Sequence, residues 1–510
     1  MRFLSFFRFS RRGWGVILLA LLVALAACRP AQPVPQPEPT RETMPTATSL
    51  PVQPSIEVTQ PPAAATAQPE PTATPLPTAP PTPPEHPIMG VEMHRITSAG
   101  GLDLVRASGA GWVRLNALFW SEVEPQEGQR AWETQSTLEA ELAAASAAGL
   151  RVVLIVRSTP AWAQLYPGVA CGPALPEKLP AFGNFMRDLV ARYSSPPYNV
   201  LHYEFGNEPD IAVGLVAPDN IFGCWGLAGD PYYGGGMYAE MLKAVYPQVK
   251  AANPQAQVLV GGLLLDCDPI NPPETAPGSG EFRDCTPSRY LEGILQNGGG
   301  AFFDGISFHA YDFYGGELGV YGNGSWYSAW NTTGPSAIAK TRYIRSLLNT
   351  FGVGGKYLVN SESALICAAS EDICQSTDFE LTKAYYAAQA LTVAHAEGLL
   401  ANIWYSISGW RNSGLVRNNQ PLPAFETLSF ANDRLRNAAF LQDVRDYPGV
   451  AGYAFSKDGV RLWVLWSRTG DVTPVMLPAE PSAMYDVFGV ALSTEKEIEV
   501  GIAPVYVELP

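Results

Sequence analysis

The chain has 510 residues and a net charge of −15, yet only 16% of its residues are charged. This acidic balance argues against nucleic acid or anionic lipid as a binding partner, because both repel a negatively charged surface. The chain also has 12 tryptophans and 22 tyrosines. Carbohydrate-handling proteins often combine acidity with many aromatic residues, so the composition favours a sugar as the partner.

The first 28 residues have the order of an export signal. Four arginines within the first twelve residues precede an apolar run, Val16–Ala27, which is too short for a transmembrane helix. The run ends in Leu-Ala-Ala-Cys, which resembles the lipobox of bacterial lipoproteins. The resemblance implies that Cys28 is lipidated and that the exported protein is anchored at the cell surface. The alternatives are an ordinary signal peptide with an unrelated cysteine and an uncleaved anchor.

A proline-rich segment follows, and we assign residues 29–87 to a linker. Between residues 29 and 86 there are 18 prolines and no aromatic residue, so this segment has no means of forming a core. The composition predicts a disordered spacer with polyproline II character. At about 3.1 Å per residue its extended reach is roughly 180 Å. Such a tether would let a folded part work away from the membrane.

Six cysteines remain after Cys28, an even number that is compatible with three disulfides in an exported protein. None has the CxxC spacing and the chain has only five histidines, which argues against a zinc site. Proximity in sequence favours the bridges Cys267–Cys285 and Cys367–Cys374. The two cysteines that remain would then form Cys171–Cys224.

From residue 88 onward, short apolar runs alternate with longer amphipathic ones. The pattern predicts eight βα units over residues 88–437, and therefore a (β/α)₈ TIM barrel. A doubly wound open sheet is the alternative, but no Gly-rich phosphate fingerprint follows the first strand. The predicted strands are Ile88–Met93, Trp112–Asn116, Arg151–Val156, Val200–Phe205, Val258–Leu264, Gly305–Phe308, Tyr357–Asn360 and Asn402–Tyr405.

The predicted helices lie between these strands and after the last one. In the third, apolar residues recur at the spacing of one helix face. The helices are Leu102–Ser108, Trp132–Ala148, Lys178–Ser195, Met237–Ala252, Ser288–Gln296, Pro335–Phe351, Thr377–Glu397 and Ala424–Arg436.

Residues 438–510 change to short alternating strands, which predict a small antiparallel β-sandwich packed on the barrel. We expect a structural role for it, with a sugar-binding module as the alternative. The predicted strands are Ala451–Phe455, Arg461–Trp466, Thr473–Leu477, Tyr485–Val487, Glu497–Val500 and Val505–Glu508.

Two glutamates end predicted barrel strands. Asn207-Glu208-Pro209 closes strand four, where proline stops the ladder of hydrogen bonds, and Glu362 in YLVNSESAL closes strand seven. Strands three places apart in an eight-strand barrel can direct side chains into one central pocket. Glycoside hydrolysis needs such a pair of carboxyl groups, which stand about 5–5.5 Å apart in retaining enzymes. The spacing therefore indicates a glycosidase site.

Further segments strengthen this interpretation: WVRLNALFWSEVEPQEG on strand two, ISFHAY on strand six and ANIWYS on strand eight. With them the chain resembles the clan A glycoside hydrolases, most nearly families five and thirty-nine, from Ile88 to about Arg436. The resemblance implies that a β-linked carbohydrate is cleaved with retention, with no metal or organic cofactor. It implies these roles: Glu208 acid/base, Glu362 nucleophile, Asn207 donor to the sugar 2-hydroxyl, His309 and Tyr311 beside the nucleophile, Arg114 keeping the nucleophile ionised, and Trp404 flooring the sugar site.

Each assignment has a structural alternative. Glu208 can be a capping carboxylate, His309 and Trp404 can be core residues, and Arg114 can merely balance carboxylates. Glu204 rivals Glu362 as nucleophile, although we expect it to pair with a buried base or to lie outside the pocket. For the whole protein, the alternatives are a non-catalytic carbohydrate-binding surface lipoprotein and a structural envelope protein. The sequence leaves open the sugar, exo or endo action and the oligomeric state.

Overall fold

A computed structural model of the chain describes residues 87–97, 101–211, 223–273, 284–326 and 334–510. The predicted signal peptide, Cys28 and the proline-rich linker lie outside these residues, as do parts of the loops after strands four, five and six. Within the described ranges, no helix has both the length and the apolar character needed to cross a membrane.

Eight parallel strands form a closed ring. The strands pair in chain order from β1 to β7, β7 pairs with β8, and β8 pairs with β1 to close the barrel. The (β/α)₈ prediction is confirmed. The strands are β1 Met89–Glu92, β2 Trp112–Phe119, β3 Arg151–Arg157, β4 His202–Asn207, β5 Gln257–Leu263, β6 Gly305–Tyr314, β7 Tyr357–Ile366 and β8 Ala401–Trp404.

One main helix follows each strand. Leu179–Tyr193 shows why these segments are helical: a proline fits its first turn, and seven residues at helical spacing are buried on one face. The helices are α1 Gly101–Ala107, α2 Ser136–Ala147, α3 Leu179–Tyr193, α4 Gly235–Ala252, α5 Tyr290–Gln296, α6 Ala337–Thr350, α7 Thr377–Ala396 and α8 Pro423–Leu435.

The core has two layers because side chains alternate along each strand. The outer layer, between strands and helices, holds most of the buried apolar residues. The inner layer fills the barrel below its mouth, and its residues come from five different strands: Trp112, Val153, Leu259, Val359, Ala401 and Ile403. The next inward-facing residues along the strands, toward the mouth, are polar. On β2 the first of these is Arg114, which is fully buried.

Three barrel strands extend at least three residues beyond their predicted ends. β2 reaches Phe119, β6 reaches Tyr314 and β7 reaches Ile366. The extension of β6 also pairs with a two-residue strand, Tyr321–Gly322. As a result, His309, Tyr311 and Glu362 lie within strands and not in the loops that follow them.

The C-terminal residues form antiparallel sheets, as predicted. Five strands pair in the order β9-β10-β11-β15-β13, and β12 pairs with β14. β9 was missed because none of its residues is fully buried, so it lacks a clear apolar face. The strands are β9 Ala439–Asp443, β10 Val450–Lys457, β11 Val460–Ser467, β12 Thr473–Met476, β13 Ala483–Tyr485, β14 Glu497–Val500 and β15 Val505–Leu509.

These sheets pack directly on the barrel. Arg434 of α8 forms a 2.8 Å ion pair with Glu508 of β15. The ring of His395 in α7 contacts Phe455 of β10 edge to face, at 6.4 Å between centroids. The five-stranded sheet therefore contacts the last two barrel helices.

Three disulfides join the predicted cysteine pairs: Cys171–Cys224, Cys267–Cys285 and Cys367–Cys374. All lie in segments that follow the carboxyl ends of barrel strands. The first connects the segment after β3 to the segment after β4, and the other two lie after β5 and β7. The bridges therefore fasten the face on which barrel enzymes place their sites.

We predict that the three bridges differ in their contribution to stability, because a longer closed loop restricts the unfolded chain more. Replacing both cysteines of a bridge by alanine should lower the free energy of unfolding by about 4 kcal/mol for Cys171–Cys224, about 3 for Cys267–Cys285 and about 2 for Cys367–Cys374, from separations of 53, 18 and 7 residues. The melting temperature should therefore be lowest without Cys171–Cys224 and highest without Cys367–Cys374. The reverse order of melting temperatures would contradict this prediction.

Candidate active site

A single guanidinium organises the mouth of the barrel. Arg114 on β2 is fully buried, and its Nη1 donates to Glu362 Oε1 on β7 at 2.5 Å and to Glu92 on β1. Its Nη2 donates to Glu204 Oε1 at 2.6 Å and to Asn207 Oδ1 at 2.7 Å, both on β4. Arg114 therefore binds side chains from three other strands. The expectation that Glu204 pairs with a buried base is confirmed.

Three buried carboxyl groups share this one cation, so their charge must be reduced. Burial raises the pKa of Glu92 to about 8, against the opposing effect of Arg114, and the neighbouring Glu362 raises it further. Glu92 therefore carries a proton at neutral pH. The positive charge of Arg114 is therefore shared between the two other carboxyl groups that Arg114 contacts, Glu204 and Glu362.

The end of β4 departs from regular alternation. Glu204 faces the barrel interior, and Gly206 then adopts a φ of 80°, a conformation that favours glycine. This turn brings Asn207 into contact with Arg114 and places Glu208 at the mouth with a φ of 47°. Because the Asn207 oxygen accepts from Arg114, its amide N–H groups are left to donate elsewhere. Asn207 is thus arranged as a hydrogen-bond donor.

His309 on β6 lies between the two candidate glutamates. Its Nδ1 is 2.9 Å from Glu208 Oε1 and 3.4 Å from Glu362 Oε2. Burial lowers the pKa of His309 to about 4, so the imidazole is neutral near pH 7. One atom from each of the three side chains lies within 4.8 Å of the others. This separation suits the retaining arrangement of carboxyl groups, since inverting enzymes hold theirs about 6.5–9.5 Å apart.

The same three atoms are also close enough to ligate a metal ion. A neutral imidazole with two carboxylates is a donor set that several transition metals accept. The two-carboxylate chemistry needs no such ion.

The position of His309 depends on residues from two other elements. A Cβ added at Gly262 of β5 would lie 2.2 Å from His309 Nε2, so only glycine leaves room for the ring. Buried Lys340 of α6 donates from Nζ to the carbonyls of His309 and Leu264, both at 2.7 Å. Lys340 therefore joins the residue just after β5 to the middle of β6 at His309.

Glu362 is held through both of its oxygens. Arg114 donates to Oε1, and the Tyr311 hydroxyl donates to Oε2. Burial raises the pKa of Tyr311 well above its usual value, so the phenol remains a donor. Hydrogen-bond donors therefore hold both carboxyl oxygens of Glu362, an arrangement that suits a nucleophile fixed in position.

A β-bulge sets which way Glu362 points. Phe308 pairs with Asn360, but the next residue, His309, pairs with Glu362, so one residue of β7 is extra at this point. Val359 faces the barrel interior, and strict alternation would place Glu362 on the opposite, outer face. The bulge reverses this and directs Glu362 into the mouth.

The prediction that Trp404 floors the sugar site is wrong. Trp404 is 1% exposed, its indole N–H donates to the Ser413 carbonyl at 3.0 Å, and its ring packs against Tyr386 of α7. Ala401 and Ile403 face the barrel interior, so alternation directs the half-buried Tyr405 to the inside. The Tyr405 ring lies 6.1 Å from that of Tyr311. Strict alternation along β8 would have found Tyr405.

A cleft of about 640 Å³ opens above Glu208. Its walls come from the ends of β4 to β7 and the segment after β8, and they include two exposed aromatic side chains. A second cleft of about 470 Å³ opens beside Glu92, between the end of β1 and the segment after β8. The larger cleft is lined by Glu208, Ile211, Leu264, Asp266, Tyr311, Phe313, Gly322, Asn323, Gly324, Ser325, Lys340, Ile366, Trp410 and Arg411.

No family model and no curated protein matches the sequence. Solved structures do match. A family 39 glycoside hydrolase from Bacteroides cellulosilyticus WH2 is 18% identical, with a TM-score of 0.61 over 83% of this chain and 81% of that one. An α-L-arabinofuranosidase from Thermotoga maritima is 12% identical, with a TM-score of 0.52 over 84% and 97%. A GH30 endoxylanase from Clostridium papyrosolvens C71 is 16% identical, with a TM-score of 0.50 over 84% and 97%.

These structural neighbours are glycoside hydrolases, and the likeness extends over most of both chains in each case. At identities below 20% it establishes the fold. What the site does must therefore be argued from the side chains at the mouth of the barrel.

We predict that one glutamate carboxyl at this mouth titrates near pH 7. Burial raises the pKa of Glu208 from 4.5 to about 7, although Arg114 and Lys340 oppose the shift. Carbon-13 NMR of protein labelled at the glutamate carboxyls should show this titration, and Glu208→Gln should remove it. A carboxyl with a raised pKa costs stability as pH rises from about 4.5 through 7, so the variant should gain stability over wild type in that window.

Glu92 gives an internal reference for this experiment, because its titration near pH 8 should persist in Glu208→Gln. A signal near pH 7 that survives the substitution would show that Glu208 is not the buried acid.

Proposed function

We propose that this protein is a retaining glycoside hydrolase that cleaves β-linked oligo- or polysaccharides with two glutamates. The observation that carries the proposal is the grouping of Glu208, His309 and Glu362 within 4.8 Å, with unlike surroundings for the two carboxyl groups. Glu362 accepts from a guanidinium and a phenol, whereas burial raises the pKa of Glu208 to about 7. One carboxyl is thus arranged as an anion and the other as an acid, as double displacement requires.

In the first step, Glu208 gives its proton to the glycosidic oxygen while a carboxylate oxygen of Glu362 attacks the anomeric carbon. The bond from that carbon to the leaving oxygen breaks, and an ester forms between the sugar and Glu362. The Asn207 amide donates to the sugar 2-hydroxyl, a contact that strengthens as positive charge develops on the ring. Arg114 donates to both Asn207 and Glu362 and so fixes their positions relative to each other.

In the second step, Glu208 is a carboxylate and takes a proton from water, which attacks the anomeric carbon and releases Glu362. Ester formation removes the negative charge on Glu362, which lies near Glu208. Losing a nearby negative charge lowers the pKa of a carboxyl, so Glu208 changes from acid to base at the moment this is needed. Neutral His309 lies between the two groups without adding charge.

A non-catalytic sugar-binding protein is the second candidate, but it gives no reason to bury these groups. Placing ionisable carboxyls in a barrel costs free energy, and Glu208 has no cation within ion-pair distance among the described residues. Sugar binding alone is satisfied by neutral donors and aromatic rings. The hydrolase neighbours also favour the enzyme.

We predict an asymmetric response to two substitutions. Glu362→Gln keeps the shape but removes the nucleophile, so turnover should collapse on all substrates. Glu208→Ala removes the proton donor and should cost about 10²–10⁴-fold with poor leaving groups. It should cost far less with activated aryl glycosides, whose leaving groups need little protonation. Steady-state kinetics on both substrate types measures this, and azide should partly rescue Glu208→Ala by forming a β-glycosyl azide.

Glu124→Gln is a matched control, because Glu124 is also buried and ion-paired, to Arg130, but does not contact the two glutamates. A slow fluorinated glycoside should label Glu362 in wild-type protein. Full activity in both catalytic variants, or a label on Glu204, would refute the assignment.

We also propose that the protein is exported and anchored to the membrane by lipid on Cys28. The arginines, apolar run and Leu-Ala-Ala-Cys order support this proposal. The three disulfides add support, because such bridges persist mainly in oxidising compartments.

Cys28→Ala should release the protein from membranes or block its processing, since the lipid acceptor is lost. Fractionation and intact-mass measurement of material from the native host would show either outcome. A variant that stays membrane-bound and is processed like wild type would exclude lipidation at this cysteine.

A further inference from the structure

Two large aromatic side chains are exposed inside the 640 Å³ cleft. Trp410 is 47% exposed and Phe313 is 41% exposed, and both line the cleft that contains Glu208. An aromatic side chain gains free energy by burying its large surface, so a fold that keeps two of them open in one cleft forgoes that gain. A concave site lined by aromatic side chains with a few polar groups is typical of ligand binding.

Trp410 is held firmly in this open position. Its backbone N–H donates to the buried Ser413 hydroxyl at 3.0 Å, and that hydroxyl donates to the Tyr405 carbonyl at 2.7 Å. The next residue, Arg411, accepts at its carbonyl from the Cys367 N–H at 3.0 Å. The turn that carries Trp410 is therefore fastened to the end of β8 and to the disulfide after β7.

The ring itself has partners on only part of its surface. The Arg411 guanidinium lies 4.4 Å from the ring centroid, and the Tyr311 ring meets it edge to face at 6.2 Å. Tyr311 in turn donates to Glu362. Trp410 is thus one side chain away from the nucleophile, and nearly half of its surface remains open to a ligand.

The chemistry decides which part of a substrate this cleft receives. A proton donor must lie beside the oxygen that leaves, and Glu208 lines the larger cleft. In the proposed mechanism, the sugar that becomes bonded to the enzyme contacts Glu362 and Asn207, neither of which lines that cleft. The cleft with the two aromatic rings is therefore on the leaving-group side.

We propose that Trp410, with Phe313, forms a stacking platform for a sugar ring on the leaving-group side of the cleaved bond. The platform selects β-linked oligosaccharides or polysaccharides over glycosides of small alcohols. The apolar face of a pyranose ring packs on an aromatic ring, and the volume of about 640 Å³ lies within the range of about 300–1,000 Å³ typical of ligand sites. This inference deepens the proposed function and rests on it.

The test compares two kinds of substrate in one set of variants. Trp410→Ala should lower kcat/KM on cellohexaose or xylohexaose, whichever the wild type cleaves, by about tenfold more than on the matching p-nitrophenyl β-glycoside. The p-nitrophenyl substrate carries no sugar in the leaving-group cleft. Trp410→Phe retains an aromatic ring and should recover most of the difference.

Tyr166→Ala is the matched control, because Tyr166 is 38% exposed but does not line the cleft. It should behave like wild type on both substrates. Equal losses on both substrates in Trp410→Ala would overturn the platform, since the ring would then act only by supporting Tyr311.

Failure of the proposed function gives a different result. If the wild type cleaves no substrate, calorimetric titration with the two hexasaccharides still tests the platform. Loss of wild-type binding in Trp410→Ala would keep the platform while rejecting hydrolysis. Binding unchanged in Trp410→Ala, or a wild type that neither cleaves nor binds either hexasaccharide, would overturn the inference.

Discussion

The buried guanidinium of Arg114 is the interaction on which the rest of the site depends. A charge buried in a barrel is tolerated only when opposite charges and hydrogen bonds surround it. Arg114 finds these partners on β1, β4 and β7, at separations from 22 to 248 residues. They meet only when the eight strands close into a ring. The contacts of Arg114 with Glu204, Asn207 and Glu362 join strands that are not neighbours, so they depend on closure of the barrel.

Arg114 also separates the two glutamates chemically. It binds Glu362 directly, whereas the side chain that contacts Glu208 is the neutral imidazole of His309. Two carboxyl groups of the same chemical type, a few ångströms apart, therefore have unlike surroundings, and burial raises the pKa of Glu208. Gly262 and Lys340 keep His309 in place between the two glutamates. Gly262 leaves space for the imidazole ring, and Lys340 holds the His309 backbone by donating to the carbonyls of His309 and Leu264.

Periodicity and strand ends predicted the barrel, its order and the two glutamates at its mouth, whereas proximity in sequence predicted the disulfide pairs. Two features were beyond that reasoning, and a third, the inward-facing residue at the end of β8, was within its reach but missed. A single extra residue in β7 directs Glu362 inward, and no composition signal marks a β-bulge. Trp404 matched a family pattern by residue type, while the alternation of β8 assigned the inner position to Tyr405. β9 lacks the apolar face that identifies a strand.

The segments that leave the mouth are fastened in a way that suits a site built on distances of a few ångströms. Disulfides fasten the segments after β3, β4, β5 and β7. β6 has no bridge, but it is held by hydrogen bonds: the buried Asp312 carboxyl accepts from the Ser336 N–H and the Tyr386 hydroxyl, both at 3.0 Å. Fixing these strand ends limits how far Glu208, His309 and Glu362 can move apart. Covalent bridges and buried hydrogen bonds thus act together to keep the strand ends at the mouth in place.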